Sequence, residues 1–256
     1  MSMPSGPPGP RQPRGLRRSK ELFASFLVEQ TDPDRFYGDL AADSLAGLSE
    51  WVDVRDQVVL DVGAGPAQFA AAFRRAGARY VPVDYDPAVP SVADGGIVGS
   101  ATDLPIASGS VDVVFCSNLL EHVPDVEGAA DEMVRVLRPG GVLYLCYTNW
   151  LSPWGGHEAS PWHYVSGEYA IRRYRRRHGK APKNRLGETL YRTSIAQGLG
   201  WAQSHPDVQI LVARPRYLPD VARHLLRVPG LREFLTWNLL LILRRRPDVA
   251  PDPSRG

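Results

Sequence analysis

The amino-acid sequence predicts an α/β fold in which a doubly wound, mostly parallel sheet carries helices on both faces. The first indication is Val58–Val62, an apolar run of strand length that leads directly into glycines and then into a helical pattern. The second is that short apolar runs and helical patterns continue to alternate as far as Asn149. Strand–helix–strand units need right-handed crossovers, which make the strands parallel and place helices on both faces. With 256 residues, of which 43% are hydrophobic, the chain can bury a core of this kind.

The glycine turn after the first strand predicts a nucleotide-type cofactor. Gly63 and Gly65 tolerate a positive φ and lack a Cβ, so the backbone can turn tightly and approach a ligand. A dinucleotide motif has Gly or Ala at its sixth position, where this chain has Gln68. Asp61, two residues before the first glycine, would repel a pyrophosphate. A carboxylate there instead suits a ligand that carries an ammonium and a sulfonium group.

Polar side chains follow the next strands at similar places. Asp84 ends the second predicted strand, where a carboxylate can accept both hydroxyls of a ribose. Asp103 and Leu104 follow a third, short strand, and could accept an adenine amino group and cover its ring. Ser117 ends the fourth strand. Ligands of open parallel sheets bind beyond the carboxyl ends of the strands, so we expect these residues, with Asp61 and Asn149, around one crevice.

In this order the segments resemble class I S-adenosylmethionine-dependent methyltransferases over roughly residues 56–149. They look like the type 11-like group that includes enzymes of ubiquinone and menaquinone biosynthesis. The resemblance implies a Rossmann-like sheet of seven strands, the last antiparallel and near residues 234–243, with S-adenosyl-L-methionine as cofactor. The predicted cofactor-binding residues are Asp61, Gly63, Ala64, Gly65, Asp84, Tyr85, Asp103, Leu104 and Ser117. Residues 29–37 and 149–164 look like a branch of uncharacterised actinobacterial methyltransferases.

The chain is predicted to form a single domain between two disordered tails. Two helical patterns precede the glycine motif, and the second begins with Asp32 as N-cap and Pro33 at the first helical position. Cys116 and Cys146 are expected to be free, buried thiols. The predicted segments are a tail at 1–15, a helical cap at 16–51, a cofactor-binding core at 52–149, an insert at 150–191, C-terminal strands at 192–246 and a tail at 247–256.

The insert is rich in aromatic residues and histidines. Trp150, Trp154 and Trp162 lie among Gly and Pro directly after the fifth strand. We expect a lid over a substrate pocket, with a loop packed by its own aromatics as the alternative. Three histidines are candidate catalytic bases, which favours O-methylation over C- or N-methylation; each has an alternative role as a helix cap or a partner of a buried carbonyl. These candidates are His122, His157 and His163. No metal site is predicted.

Basic residues are concentrated in two segments although the net charge is only +2. Residues 172–185 carry eight basic residues and no acidic one, and residues 11–20 carry five and none. Such clusters are either solvated faces or surfaces for an anionic partner. We expect a small-molecule or amphiphilic acceptor and consider an anionic membrane surface as a further partner. Nucleic acid is the weaker option, because no recognition motif accompanies the charge.

Localisation and two competing classes of protein complete the predictions. The N-terminus has no signal-peptide pattern. The longest apolar run is shorter than the ~20 residues that a membrane span needs. We therefore expect a cytoplasmic protein, and peripheral association with a membrane is left open. The first competitor is an NAD-dependent oxidoreductase, against which Gln68 and Asp61 argue. The second is a non-catalytic S-adenosylmethionine-binding protein, because Ala67 replaces the third glycine usual in the motif.

Overall fold

A computed structural model describes residues 15–248 apart from residues 30, 90, 91, 93 and 94, so the two predicted tails lie almost wholly outside the described residues. The strands of the described chain are β1 (Val58–Val62), β2 (Arg79–Asp84), β3 (Ile97–Val98), β4 (Val111–Ser117), β5 (Leu137–Thr148), β6 (Val208–Pro215) and β7 (Asn238–Arg245). The α-helices of the same part are α1 (Leu16–Leu27), α2 (Pro33–Leu48), α3 (Ala70–Arg75), α4 (Val126–Val136), α5 (Gly167–His178), α6 (Ile195–Ser204) and α7 (Leu231–Leu235).

The strands form one seven-stranded sheet in the order β3-β2-β1-β4-β5-β7-β6. The pairs among β1 to β5 are parallel, and β7 runs antiparallel to both β5 and β6. This confirms the predicted doubly wound sheet with an antiparallel last strand. The strand order reverses between β1 and β4, which is where open sheets of this kind bind their ligands. In the described part of the chain, no helix is long and apolar enough to cross a membrane.

Helices cover both faces of the sheet. On one face, α4 and α6 pack on the strands, and Met133 of α4 is fully buried. On the other face, α2 and α3 bury Phe36 and Phe73. Because both faces are shielded, the central strands are apolar along nearly their whole length. In β7, for example, the residues from Asn238 to Leu243 are all buried.

The N-terminal cap forms two helices, and the predicted start of the second is confirmed. The side chain of Asp32 accepts a hydrogen bond from the Arg35 amide at 3.2 Å, and Pro33 is the first helical residue. The sequence predicts an apolar stripe of Leu22, Phe23, Phe26 and Leu27 for the first helix. This is wrong at Leu27, which is 62% exposed. Five residues after the buried Leu22, Leu27 lies about 140° around the helix and off the buried face.

The last strand begins later than its apolar run predicts. Residues 231–235 form α7, and β7 begins at Asn238 instead of near residue 234. The reason is a tertiary contact of Glu233, whose carboxylate accepts hydrogen bonds from the amides of Ile195 at 2.8 Å and Ala196 at 2.9 Å. These amides are unpaired donors at the start of α6, and an acid at a helix N-terminus is stabilising. Both predicted thiols, Cys116 and Cys146, are free and buried.

The cap that Glu233 provides for α6 gives a test of this packing. We expect Glu233→Ala to lower the free energy of unfolding by about 1.5–3 kcal/mol, because two charge-assisted hydrogen bonds are lost from a buried helix end. Urea unfolding measures the change. The control is Glu127→Ala, which removes an exposed acid from the first turn of α4 and should change stability by less than ~0.5 kcal/mol. Equal effects of the two substitutions would contradict the capping role.

Candidate cofactor and acceptor site

The glycine turn after β1 is open on the side where a ligand would bind. Gly63 has a φ of 79° and Gly65 a φ of 50°, which are conformations that favour glycine. The amides of Gly63 and Ala64 donate to the Val83 carbonyl at 2.9 and 3.1 Å, which ties the turn to β2. A Cβ on Gly63 would lie 2.8 Å from the Leu119 side chain, whereas a Cβ on Gly65 would meet nothing within 4 Å. The turn therefore leaves free space beside Gly65.

Ala67 stands where the resemblance expects a third glycine, and the fold still makes the turn. Its φ of 58° lies in the left-handed region, which costs a residue with a Cβ roughly 1–2 kcal/mol. Its amide donates to the Ala64 carbonyl at 2.8 Å, which holds the turn closed. The missing glycine therefore does not remove the cofactor motif.

Asp84 lies directly across from the glycine turn. Its Oδ2 accepts a hydrogen bond from the Gly65 amide at 2.8 Å, and its Oδ1 accepts one from the Asp86 amide at 3.0 Å. The neighbouring Tyr85 is 80% exposed. The structure thus brings together two of the predicted cofactor residues from different strands. Each carboxylate oxygen keeps a second lone pair, with which the side chain can accept ribose hydroxyls.

Asp61 is buried, with 2% of its surface exposed, and accepts a hydrogen bond from the Tyr80 hydroxyl. Burial raises the pKa of its carboxyl to about 7; the hydrogen bond from Tyr80 acts in the opposite direction, and the nearby Asp84 raises the pKa further. A carboxyl of this kind gains from a positive charge in its surroundings. The environment therefore agrees with a cationic ligand, and a role for Asp61 in binding it stays a prediction.

Asp103 and Leu104 occupy the turn after β3, and they differ in exposure. Asp103 is exposed, and its amide donates to the Ser100 carbonyl at 3.1 Å. Leu104 is 3% exposed and belongs to the core, with its amide bound to Glu132 at 2.9 Å and its carbonyl to Arg135 at 3.0 Å. Asp103 is therefore accessible to a ligand, whereas the Leu104 side chain offers little surface to an adenine ring.

Ser117, at the end of β4, accepts a hydrogen bond at 3.0 Å from Arg216, a residue that the sequence analysis missed. Arg216 is fully buried, and its guanidinium also donates to Ser44 at 2.8 Å, Cys146 at 3.1 Å and Asn118 at 3.5 Å. Burial alone would lower the pKa of Arg216, but neighbouring groups, Cys146 first, raise it overall. A permanent positive charge therefore lies beneath the carboxyl end of β4. Its sequence context, between Pro215 and Tyr217 at a strand end, carries no signal of this.

The prediction that Asn149 lines the crevice is wrong. Asn149 is fully buried, and its side-chain amide donates to the carbonyls of Glu233 and Thr236. Its Oδ1 accepts a hydrogen bond from the Leu151 amide at 3.2 Å. These bonds fasten the start of the insert to the segment around α7, so the side chain is used in packing.

Five half-buried aromatic rings join the N-terminal helices to the insert. Ring centroids are 5.1 Å apart for Phe26 and Trp154, 5.6 Å for Phe23 and Trp237, and 6.1 Å for Trp154 and Trp237. Tyr217 lies 6.3 Å from Phe26. We call these five residues the aromatic cluster. The two parts predicted to cover the crevice, the helical cap and the insert, therefore meet each other through it.

The other two tryptophans of the insert lie elsewhere. Trp150 is 9% exposed and packs against the ring of His163 at 5.0 Å. The Nε2 atom of His163 lies 3.1 Å from the Trp150 carbonyl, and burial lowers the pKa of this histidine. His163 therefore holds the insert in shape, which is the alternative role considered for it. Trp162 is partly exposed, and the guanidinium of Arg173 in the basic segment lies 4.0 Å from the centre of its ring.

The remaining two candidate bases come together although they are distant in the sequence. The ring centroids of His122 and His157 are 5.2 Å apart. The Nδ1 atom of His122 lies 2.7 Å from the Thr189 carbonyl, and His157 has a φ of 50° in the turn of the insert. Burial lowers the pKa of His157. Glu121 completes this group and was missed in the sequence analysis, although it precedes His122 directly.

Comparisons with known proteins agree with this geometry. Residues 60–145 match the family model described as a methyltransferase domain. An uncharacterized methyltransferase of Mycolicibacterium gilvum (strain PYR-GCK) is 48% identical over 243 residues, covering 90% of this chain and 94% of that protein. One from Mycobacteroides abscessus is 44% identical over 249 residues, covering 90% and 95%.

Solved structures show the same fold at low sequence identity. An S-adenosylmethionine-dependent methyltransferase from Mesorhizobium loti has a TM-score of 0.52 at 18% identity, covering 79% of this chain and 98% of that one. One from Aquifex aeolicus has a TM-score of 0.51 at 10% identity, covering 88% and 98%. The chain belongs to the methyltransferase family of the mycobacterial relatives. It is an enzyme with S-adenosyl-L-methionine as cofactor, as predicted, and neither an oxidoreductase nor a non-catalytic binding protein is favoured.

The contact between Asp84 and the glycine turn leads to a binding prediction. We expect Asp84→Ala to weaken S-adenosylhomocysteine binding by about 1.5–3 kcal/mol, because charge-assisted hydrogen bonds to the ribose are lost. Isothermal titration calorimetry measures the affinity, and circular dichroism checks the fold. Asp86→Ala, which removes an exposed carboxylate two residues further on, should bind like wild type. Wild-type affinity in a folded Asp84→Ala protein would show that the cofactor site is assigned wrongly.

The raised pKa of Asp61 predicts a pH-dependent stability. The carboxyl is ordinarily ionised above pH ~4 in the unfolded chain, but in the folded protein its pKa is about 7. The folded state therefore holds more protons between these values, and stability falls as pH rises through this window. We expect the free energy of unfolding of Asp61→Asn, relative to that of wild type, to increase by on the order of 2–4 kcal/mol as the pH rises from 4.5 to 7.5. Urea unfolding at a series of pH values measures the difference, with the exposed Asp53→Asn as control; a pH-independent difference would contradict the assignment.

Proposed function

We propose that this methyltransferase methylates an oxygen atom of an amphiphilic small molecule that has an apolar body and an anionic end. Bound S-adenosylmethionine supplies the methyl group. The observation that carries the proposal is that Trp154 of the aromatic cluster and the basic helix α5 belong to one insert and lie on either side of Trp162 in the sequence. The proposal covers the methylated oxygen, the apolar body and the anionic end of the acceptor. It also includes an anionic membrane surface that would deliver the acceptor.

The aromatic cluster supports an apolar body. Trp237 immediately precedes Asn238, which pairs in register with Thr148 at the carboxyl end of β5. Asn238 donates a hydrogen bond to Asn118, directly after β4, at 2.8 Å. The cluster therefore lies at the edge of the sheet where the cofactor turn lies. Aromatic faces bind flat or apolar groups through large contact areas, and they exclude water from the site.

Helix α5 supports an anionic end. An open cavity of about 460 Å³ on its surface is lined by Tyr169, Arg172, Arg173, Arg176 and Arg177. The Arg173 guanidinium lies 4.0 Å from the centre of the Trp162 ring, which is 37% exposed. Exposed arginines beside exposed aromatic side chains suit the headgroup region of an anionic lipid surface. The same arginines can bind a carboxylate or phosphate of a free acceptor.

The group formed by Glu121, His122 and His157 supports an oxygen as the methylated atom. A hydroxyl acceptor must lose its proton, whereas many carbon and nitrogen nucleophiles need only positioning. Because burial lowers the pKa of His157, its imidazole is neutral at pH 7 and has a free lone pair. Proton-accepting side chains therefore lie where the insert meets the carboxyl end of β4.

The proposal predicts which acceptors receive labelled methyl groups. We expect transfer from deuterated S-adenosylmethionine, measured by mass spectrometry, to hydroxyl compounds with an apolar ring system and a carboxylate or phosphate, and at least tenfold less to the same compounds without the anionic group. Trp154→Ala should lower kcat/KM at least tenfold, because part of the apolar wall is lost, and leave S-adenosylhomocysteine affinity unchanged. Trp51→Ala is the matched control, because this half-buried ring lies outside the cluster, in a residue whose carbonyl accepts a hydrogen bond from Arg244 near the end of β7.

Vesicle binding separates a membrane-bound acceptor from a free one. Exchange of Arg172, Arg173 and Arg176 together for Gln should weaken co-sedimentation with phosphatidylglycerol vesicles by more than tenfold, since each basic residue near an anionic surface contributes about 1 kcal/mol. Glutamine at the exposed Arg35, Arg75 and Arg79 is the control. Binding should also fall with salt, as attraction decays over roughly 8 Å at physiological ionic strength. Salt-independent or absent binding would overturn the membrane surface as a partner, and label only on carbon or nitrogen would overturn O-methylation.

A further inference from the structure

The side chains of Glu121, His122 and His157 form a compact set of potential metal ligands. Glu121 and His122 lie in a short 3-10 helix, Leu120–His122, that follows β4. His157 begins a second short 3-10 helix in the insert. One ligand atom from each of the three side chains lies within 4.8 Å of the other two. The set therefore joins the core of the enzyme to the segment that covers it.

Both imidazoles are oriented by backbone carbonyls. The Nδ1 atom of His122 lies 2.7 Å from the Thr189 carbonyl, and since a carbonyl oxygen only accepts, this nitrogen carries the proton. The Nδ1 atom of His157 lies 3.4 Å from the Gly155 carbonyl, a weaker contact of the same kind. Each ring then has its lone pair on Nε2. Histidines that ligate metals commonly donate their other ring N–H to a carbonyl in this way.

The side chain of Glu121 provides an independent observation that points to a cation at this position. Its side chain is 1% exposed, and Oε1 accepts a hydrogen bond from the Thr148 amide at 3.0 Å. Oε2 is buried as well and has no hydrogen-bond partner among the described residues. A buried carboxylate oxygen without a partner is costly, and a cation is the partner that compensates it best.

We propose that Glu121, His122 and His157 bind a divalent transition-metal ion, with Zn²⁺ as the representative ion. Two imidazoles and one carboxylate suit Zn²⁺ and the neighbouring first-row metals, whereas Mg²⁺ and Ca²⁺ prefer oxygen ligands throughout. Ligand atoms about 2.1 Å from a tetrahedral ion lie about 3.4 Å apart. Because the ligand atoms all lie within 4.8 Å of one another, closing the set around an ion requires an inward shift of each atom by at most about 1 Å.

Three protein ligands leave a coordination position open, which is typical of metal sites that bind a reactant. This step rests on the proposed function: the open position would receive the acceptor oxygen, lower the pKa of its hydroxyl and orient it, in place of proton transfer to a free histidine. The metal would also fasten the insert over the carboxyl end of β4, because His157 and the Thr189 partner of His122 both belong to the insert.

Metal titration of the protein tests the proposal without an acceptor. Zn²⁺ added to EDTA-treated, desalted protein should bind with one equivalent per chain and micromolar or tighter affinity in calorimetry, and Mg²⁺ should bind at least 100-fold more weakly. Co²⁺ should give a visible absorption band of a four- or five-coordinate site. His157→Ala and Glu121→Gln should each weaken Zn²⁺ binding at least 100-fold. His178→Ala, which removes an exposed histidine of α5, is the matched control and should bind like wild type.

Two results would overturn the metal site: no saturable Zn²⁺ binding by wild type, or equal affinities of wild type and His157→Ala. Because His157 lies in the insert and not in the sheet, we expect His157→Ala to fold. It therefore still tests the metal site if Glu121→Gln does not fold. S-adenosylhomocysteine should bind equally well with EDTA or Zn²⁺. Its failure to bind would overturn the proposed methyl transfer and leave the metal site standing. Full methyl transfer in EDTA by wild type would instead exclude the metal from the reaction.

Discussion

The parallel pairing of β1 with β2 on one side and β4 on the other is the constraint on which the active site depends. It places three strand ends at one edge, so that the turn after β1 meets the carboxylate that ends β2. The hydrogen bond from the Gly65 amide to Asp84, at 2.8 Å, is the direct consequence. Because backbone hydrogen bonds of buried strands leave no freedom of register, the polar groups at their ends are fixed before any ligand binds. The sheet therefore positions the groups that are predicted to bind the cofactor.

Segments outside the sheet cover this edge. The α1 helix, the insert and the residues flanking β7 each contribute rings to the aromatic cluster, and none of them could form it alone. An ion pair of 2.5 Å between Arg18 and Asp43 holds α1 on α2, and Arg18 also donates to the Arg216 carbonyl at 2.7 Å. The cap, the aromatic cluster and the end of β6 are thus one connected unit.

Buried charged groups are concentrated at this edge as well. Asp61, Glu121, Arg216 and Glu233 are each less than 10% exposed, and each is surrounded by donors or acceptors from other segments. Burying such groups lowers stability unless their partners are complete. Glu233 has two helix amides, and Arg216 has four side-chain acceptors, although its Nε atom has no partner among the described residues. Asp61 and Glu121 are less well compensated, and both lie where a cationic ligand is expected or proposed.

Local patterns in the sequence determined the strands, the glycine turn and Asp84, because strand periodicity and turn chemistry depend on neighbouring residues only. The same patterns failed for Asn149, for the start of β7 and for Leu27, where a contact with a distant segment or the rotation of a helix decides. Arg216 meets Ser117 across 99 positions in the chain, and His157 meets Glu121 and His122 only because the insert folds back over β4. The sequence by itself therefore determined the fold and the cofactor, whereas the tertiary structure alone decided which buried charges and histidines lie together at the carboxyl end of the sheet, since packing between distant segments has no local signature.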